Sequence, residues 1–367
     1  MSMRDRDLNI RRSRYKQIRK QRRIIVICCM IICLLCIILG AILVGTLIQR
    51  KAAKPTKSES AISSSESSGS DTTPSSQSSS ETTVPVSTIT AEERAVLLDQ
   101  LEADIASFLS SQSGRYSMFY INLENGETVS YKEDIPMVAA SSVKIAYNTY
   151  FYKRAAAGDF AMSDSMTYDA AAYPDGDFEA GTGTIQNGPD GASFTLSEIT
   201  GLSIRISDNC ATNMLLRKLG GIDVVNDSFM EPVSAVVNYR SSVSYTDYKG
   251  SQQSGRHRTS SLDLAKYAQE LYLLYTADPA SYEALINDLS NTEYTWGIPA
   301  GVPGNTQVAH KVGFNSAYGA NNDVGIVFGT EDYVICVMTE TGNAVTAQDN
   351  IGAVSRLVSD YILSCYE

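Results

Sequence analysis

Ser141 and Lys144 stand in the stretch "PMVAASSVKIAYNTYF" with the spacing Ser-x-x-Lys. If Ser141 begins a helix, Lys144 lies one turn on and on the same face. An unprotonated amine there can take the proton of the serine hydroxyl. The helix N-terminus also aims free backbone N–H groups at the place where negative charge develops on an attacked carbonyl. Ser13 and Lys16 have the same spacing, but they sit in a solvated basic tail, so spacing alone does not carry the inference. A lysine base must be neutral, which requires burial or a second cation nearby. The apolar run Val143, Ile145, Ala146, Tyr147, Tyr150 and Phe151 supplies burial.

Two further groups follow. Ser207-Asp208-Asn209 comes 66 residues after Ser141, and Lys311-Val312-Gly313 opens a strand 104 residues beyond Ser207. Taken singly, Ser207-Asp208 reads as a helix cap and Lys311 as a surface lysine. Taken in order, Ser-x-x-Lys, Ser-Asp-Asn and Lys-x-Gly resemble the motif set of class A β-lactamases and penicillin-binding proteins. The resemblance runs through "YINLENGETVSYKED", "SDNCATNMLL" and the closing helix, and covers residues 91–367.

The resemblance implies a role for each residue. Ser141 is the acylated nucleophile and Lys144 its base; Ser207 passes the proton toward the leaving group. Lys311 helps polarise that path and, as a second cation, keeps Lys144 neutral. Asn209 hydrogen-bonds the substrate amide. The backbone N–H groups of Ser141 and Phe314, the latter following Gly313, form the oxyanion hole, and Asp208 braces its turn. The activity implied most directly is hydrolysis of β-lactams through a Ser141 acyl-enzyme. The alternatives are a cell-wall D,D-peptidase, transpeptidase or esterase, and a catalytically impaired module that binds a wall ligand or antibiotic. No metal or cofactor is implied.

Two departures bear on function. Val312 stands where the family carries a hydroxyl residue that binds the substrate carboxylate. Losing that contact forfeits roughly 1.5–3 kcal/mol, or about 10- to 150-fold in binding. Class A β-lactamases also place a glutamate between the second and third motifs to activate the hydrolytic water. The matching stretch, "VNYRSSVSYTDYKGSQQSGRHRTSS", holds no glutamate and one acid, Asp247; Glu231 falls before the expected place and is a weak candidate for that base. A Ser-His-Asp hydrolase of the Gly-x-Ser-x-Gly kind is excluded, because that elbow is absent. The two histidines, His257 and His310, lie in a basic loop and beside Lys311.

These residues need positioning elements. "TAEERAVLLDQLEADIASFLSSQ" reads as a helix capped by Thr90, and "RYSMFYINLENGETVSYKED" as two strands turning at Asn125-Gly126. "TLSEITGLSIRISDNCATNMLLRKLGG" reads as two helices, the second ending at Gly220-Gly221. "VAHKVGF", "NDVGIVFG" and "YVICVMTE" are β-branched runs, and "TAQDNIGAVSRLVSDYILSCY" is an amphipathic helix. A sheet completed from both chain ends with helices between is one α+β unit. The resemblance sharpens this to an antiparallel sheet of about five strands flanked by helices, plus an all-α subdomain. Asp175, Asp177 and Glu179 have the spacing of a calcium loop, but Ala180 stands where glycine is required, so the stretch reads as an ordinary loop. Of Cys210, Cys336 and Cys365 at least one thiol is free, and a Cys336–Cys365 bridge is one arrangement of the others.

The chain before this unit has a different composition. Residues 1–23 carry ten Lys/Arg, and residues 24–48 form an uncharged apolar run of 25. As a helix that run spans roughly 37 Å, enough for a ~30 Å hydrocarbon core. It reads as an uncleaved signal-anchor that leaves the basic head in the cytoplasm and the catalytic unit in the wall space. Residues 49–90, rich in Ser and Thr, read as a disordered linker. Residues 91–367 carry 16 Lys/Arg and 35 Asp/Glu, a net charge of −19. That balance argues against nucleic-acid partners and against binding of the domain itself to an anionic membrane.

Overall fold

In the computed structural model, which describes residues 87–366, Thr90 caps the first helix through a reciprocal pair. Its side chain accepts from Glu93 N, and the Glu93 carboxylate accepts from Thr90 N. This helix, α1 (Ala91–Ser111), leads into β1 (Arg115–Asn122) and β2 (Thr128–Tyr131). Gly126 at φ 80° makes the turn between them. The head 1–23, the span 24–48 and all but the last residues of the linker 49–90 lie outside the described residues. No helix among the described residues is long and apolar enough to cross a membrane. Ser87 Oγ and Thr88 N both donate to Cys365 O, so the folded unit is already tied down before Thr90.

The main sheet is antiparallel and five-stranded, in the order β2-β1-β11-β10-β9, with β9 Gln307–Asn315, β10 Ala320–Phe328 and β11 Tyr333–Glu340. Its two faces follow from strict alternation along each strand. Phe119, Ile121, Val324, Ile326, Val334 and Cys336 enter one core. Met118, Tyr120, Val308, Val327, Ile335 and Val337 enter the other. The first core is closed by α2 (Lys144–Ala156), α3 (Leu196–Arg205), α4 (Asn209–Lys218), α7 (Ser261–Ala277) and α8 (Pro279–Ser290). The second is closed by α1 and α9 (Ala344–Ser364). Each fully buried Leu, Ile or Val contributes roughly 1.5–3 kcal/mol, so both layers are held mainly by this apolar burial.

The alternation also settles the cysteines. Cys336 points into the first core and Cys365 into the second, on opposite sides of the sheet, and all three described cysteines are free and buried. The bridge considered from sequence does not form.

Short elements complete the unit. β3 (Met137–Val138) pairs with β8 (Arg258–Thr259), and β4 (Ser165–Thr167) with β5 (Ser193–Thr195). β6 (Val243–Thr246) pairs with β7 (Gln252–Gly255), a hairpin not expected from its polar sequence. Two short helices, α5 (Ile222–Val225) and α6 (Glu231–Val233), flank a π turn at Asn226–Met230.

Candidate active site

Ser141 lies in a 3₁₀ turn, Ala140–Val143, that runs into α2, so Lys144 is the first residue of the α-helix proper. Ala140, just before the nucleophile, has φ +46°. A non-glycine residue in this region costs of order 1–3 kcal/mol and persists only where its surroundings hold it. Here they do. Val138 N donates to Glu340 Oε1 at 2.8 Å, and Arg115, paired with Glu340, donates to Pro136 O at 2.8 Å. Asn322 Nδ2 donates to Val138 O at 2.8 Å and Ala139 O at 3.1 Å. Side chains from β1, β10 and β11 thus staple residues 136–139 to the sheet.

Lys144 is 5 % exposed, and its amine lies 2.8 Å from Ser207 O, 2.9 Å from Asn209 Oδ1 and 3.2 Å from Ser207 Oγ. Burial pushes its pKa down to about 7, against the attraction of Asp208, Glu179 and Cys210. A neutral amine has two N–H groups and one lone pair. The carbonyl of Ser207 and the amide oxygen of Asn209 accept the two hydrogens. The lone pair is then left to accept a proton, and the 3.2 Å contact with Ser207 Oγ links Ser207 directly to the base.

Ser207 itself is 1 % exposed with φ +56°. Its turn is held by Asp208, which accepts from Ala211 N at the start of α4 and from Thr184 N and Ile185 N. Thr182 Oγ1 donates to Ser207 O at 2.6 Å, and Thr182 O accepts from Asn209 N. A Cβ at Gly183 would lie 2.2 Å from Asp208 Cγ, so only glycine lets this loop close on the turn. The stretch that reads as an ordinary loop in sequence is therefore the cradle of the second motif.

On β9, Gly313 allows another close approach: a Cβ there would lie 2.5 Å from Ser142 N and 3.0 Å from Ser141 N. This contact brings the strand carrying Phe314 against the nucleophile turn. Lys311 is fully buried; its amine donates to Val312 O at 3.0 Å and lies 5.6 Å from the Tyr294 ring centre. Burial first, and then the Lys144 charge, push its pKa well below the usual lysine range. Repulsion between the two amines is mutual, so a charge on Lys311 also disfavours a charge on Lys144, with burial the leading cause at both. Two ammonium groups do not persist together at this depth.

The remaining candidates lie elsewhere. Glu231 starts α6, whose Pro232 and Val233 line a cavity with Lys153 at the far end of α2 and with Lys266 and Glu270 of α7. Lys153 is nine residues along α2 from Lys144, about 13 Å of helix. The structure does not bring Glu231 to the Ser141–Lys144–Ser207 group. Asp247 accepts from Lys249 N and Ser251 N in the β6–β7 turn. His310 faces Asp323 through Nδ1 at 2.9 Å and Tyr294 O through Nε2 at 3.1 Å. His257 packs on Tyr239 and lies beside Arg240. Sequence reasoning misses Arg115, Thr182, Asn322 and Glu340. The signal available is weak: "ANND" places polar residues at the head of an otherwise apolar strand.

A hydroxyl on a strained turn, a buried lysine whose amine loses its proton near pH 7 and a second buried hydroxyl hydrogen-bonded to that amine are the parts of a serine hydrolase. Residues 100–362 match the family described as "Beta-lactamase enzyme family", and the chain belongs to that family. The curated "Beta-lactamase" of Bacillus licheniformis is 24% identical over 238 residues, which is 62% of this chain and 72% of the relative. "Beta-lactamase 3" of Bacillus cereus is 31% identical over 138 residues, 37% of this chain and 42% of the relative. Among solved structures, PBP-A superposes with a TM-score of 0.62 at 25% identity, covering 72% of this chain and 96% of that one.

Proposed function

We propose that this protein is a membrane-anchored serine acyl-enzyme that attacks β-lactam or related amide and ester carbonyls and releases the acyl group slowly. The observation that carries the reading is the Lys144 amine, buried, brought to about 7, and hydrogen-bonded to Ser207. In acylation the Ser141 Oγ–carbon bond forms while the carbon–nitrogen or carbon–oxygen bond breaks. The Ser141 proton passes to Lys144 and leaves through Ser207 to the departing atom. Backbone N–H groups of Ser141 and Phe314 donate to the developing oxyanion, which in such sites supplies a few kcal/mol each.

Slow release follows from the carboxylates present. Those whose charge reaches Lys144 are Asp208 and Glu179. Asp208 is buried and occupied by three backbone N–H groups. Glu179 accepts from Asn213 Nδ2 at 3.1 Å. Asp208 is therefore committed and is not free to activate a water on the acyl-enzyme as a dedicated base would; Glu179, exposed, has one oxygen bonded to Asn213. PBP-A supports the reading, since a point mutant of it is solved as an acyl-enzyme complex with penicillin G. The apolar run 24–48 behind a basic head supports an outward-facing, anchored domain.

The test is a burst experiment with a chromogenic β-lactam. The reading expects about one product per protein molecule in a fast phase, then a steady state at least 100-fold slower. Turnover with no burst and no lasting adduct would indicate efficient hydrolysis and refute the slow-release half of the proposal.

A further inference from the structure

The loop 175–184 lies along the start of α4, contact by contact. Thr182 O accepts from Asn209 N, Ala180 O accepts from Asn209 Nδ2 at 3.5 Å, and Glu179 N donates to Cys210 Sγ at 3.5 Å. A Cβ at Gly181 would lie 2.7 Å from Asn209 Nδ2, so glycine is what lets the loop come this close to the site. The Glu179 carboxylate accepts from Asn213 Nδ2 at 3.1 Å. Asn213 stands one turn beyond Asn209 on the same face of α4, where such neighbours have Cβ atoms about 5–6 Å apart. Asn209 Oδ1 is the atom that meets the Lys144 amine at 2.9 Å. The carboxylate is thus brought to within about one helical turn of the base.

Glu179 is exposed, and Asn213 supplies the one hydrogen bond its carboxylate makes among the described residues. Its charge is felt at Lys144 and also at Tyr239 and His257. Those two belong to residues 237–261, the stretch in which the resemblance expects a glutamate and which holds none. Glu179 therefore faces that stretch from the other side of the site. The rival groups are occupied. Asp208 is taken by three backbone N–H groups, His257 Nε2 lies 2.8 Å from Arg240 Nη1, and Asp247 is held in its own turn.

We infer that Glu179 is the general base of acyl release, activating the water that hydrolyses the Ser141 ester from the loop before the second motif rather than from the stretch after it. This rests on the acyl-enzyme reading above and names the residue that completes its cycle. As water adds to the ester carbon, one of its protons passes to Glu179. The carbon–Oγ bond then breaks and that proton ends on Ser141 Oγ, leaving free enzyme and a carboxylic acid. Asn213 orients one oxygen and leaves the other for the water. A base held by a single hydrogen bond on an exposed loop is loosely placed, which agrees with slow release.

The test follows the lifetime of the penicillin G adduct on the full chain in detergent. Free penicillin is removed after labelling, and loss of the added mass is timed for the wild type, Glu179→Gln and Asp175→Asn. Gln keeps an oxygen for Asn213 but takes no proton from water. Asp175, exposed on the same loop, controls for the loss of a negative charge. Since a general base contributes about 10²–10⁴-fold, the Glu179→Gln adduct is expected to last at least about 10-fold longer than the wild type's, and the Asp175→Asn adduct to stay within about twofold. Hydroxylamine attacks the ester without a base, so it should strip the wild-type and Glu179→Gln adducts at similar rates. A Glu179→Gln adduct lost at the wild-type rate, or prolonged no more than by Asp175→Asn, overturns the role of Glu179 and leaves the acyl-enzyme reading intact. Hydroxylamine release slowed in the same proportion as hydrolysis does the same, since it marks an altered site rather than a lost base. No adduct on any of the three, with each folded by circular dichroism, overturns both.

Discussion

Lys144 is where the chemistry and the stability of this protein oppose each other. A depression from 10.5 to about 7 corresponds to about 5 kcal/mol of differential interaction. The unfolded chain keeps this proton up to about 10.5, whereas the folded chain releases it near 7. Between those values the unfolded state binds more protons, so stability rises with pH across that window. Lys311, also lowered, acts in the same direction. Lys144→Met is expected to stabilise the fold at pH 7 by roughly 2–4 kcal/mol, since it removes the penalty of a buried amine but leaves Asn209 and the Ser207 carbonyl without a donor. It should also abolish acylation and flatten the pH dependence of stability between 7 and 10.5. Urea denaturation across that range checks both parts. In the wild type the acylation rate should rise with pH around a midpoint near 7, because only the unprotonated amine accepts the proton; a rate that falls through this midpoint would contradict this.

Among the elements, the contact of β9 with the nucleophile turn depends on one missing methyl. Gly313→Ala would place a Cβ 2.5 Å from Ser142 N, so strand or turn must shift. Acylation should fall at least 100-fold while the sheet persists, measured by adduct formation and by melting. Asn322→Ala should cost roughly 1–3 kcal/mol, since it removes the side-chain donor to Val138 O and the acceptor of Thr339 N, while Ala139 O keeps the Ser142 N–H and hydroxyl. It should slow acylation without moving the pH midpoint, since Lys144 does not touch it. Denaturation together with a pH–rate profile separates this positioning role from a direct one.

Elements also differ in how far they can be read from the chain. The strands β9 to β11 and the helices α1, α4 and α9 announce themselves through alternation, capping and helical spacing, which are local. Ser141, Lys144, Ser207 and Lys311 are legible because order and spacing are also written along the chain. Asn322 to Val138, Glu340 to Val138 and Arg115 to Glu340 join residues 184, 202 and 225 positions apart. No local propensity carries that information. The β6–β7 hairpin escapes sequence reading because "QQSG" offers no apolar residue to match Val243 and Tyr245 of its partner strand. Burial of Lys144 is legible in the apolar run around it, whereas the depth of that burial is a property of the packed core.

For the whole molecule, we propose that the acidic unit carries catalysis and the basic, apolar N-terminus carries placement. If residues 24–48 anchor the chain with the catalytic unit outward, protease added to intact cells should release a fragment containing residues 87–367 and leave the basic head cell-associated. Removal of residues 1–48 should move the activity to the soluble fraction. A head accessible from outside would reverse the topology, and a full chain found wholly in the soluble fraction would remove the anchor.

The central claim, that Ser141 forms a lasting acyl-enzyme, is tested most directly by intact mass spectrometry after brief incubation with a penicillin, with substrate loss followed in the same sample. The expected result is one penicillin mass added per chain, persisting for minutes with little further substrate loss, and absent in Ser141→Ala. Retention of the adduct in Ser141→Ala, or neither adduct nor turnover with penicillins, esters and depsipeptides alike, would contradict it.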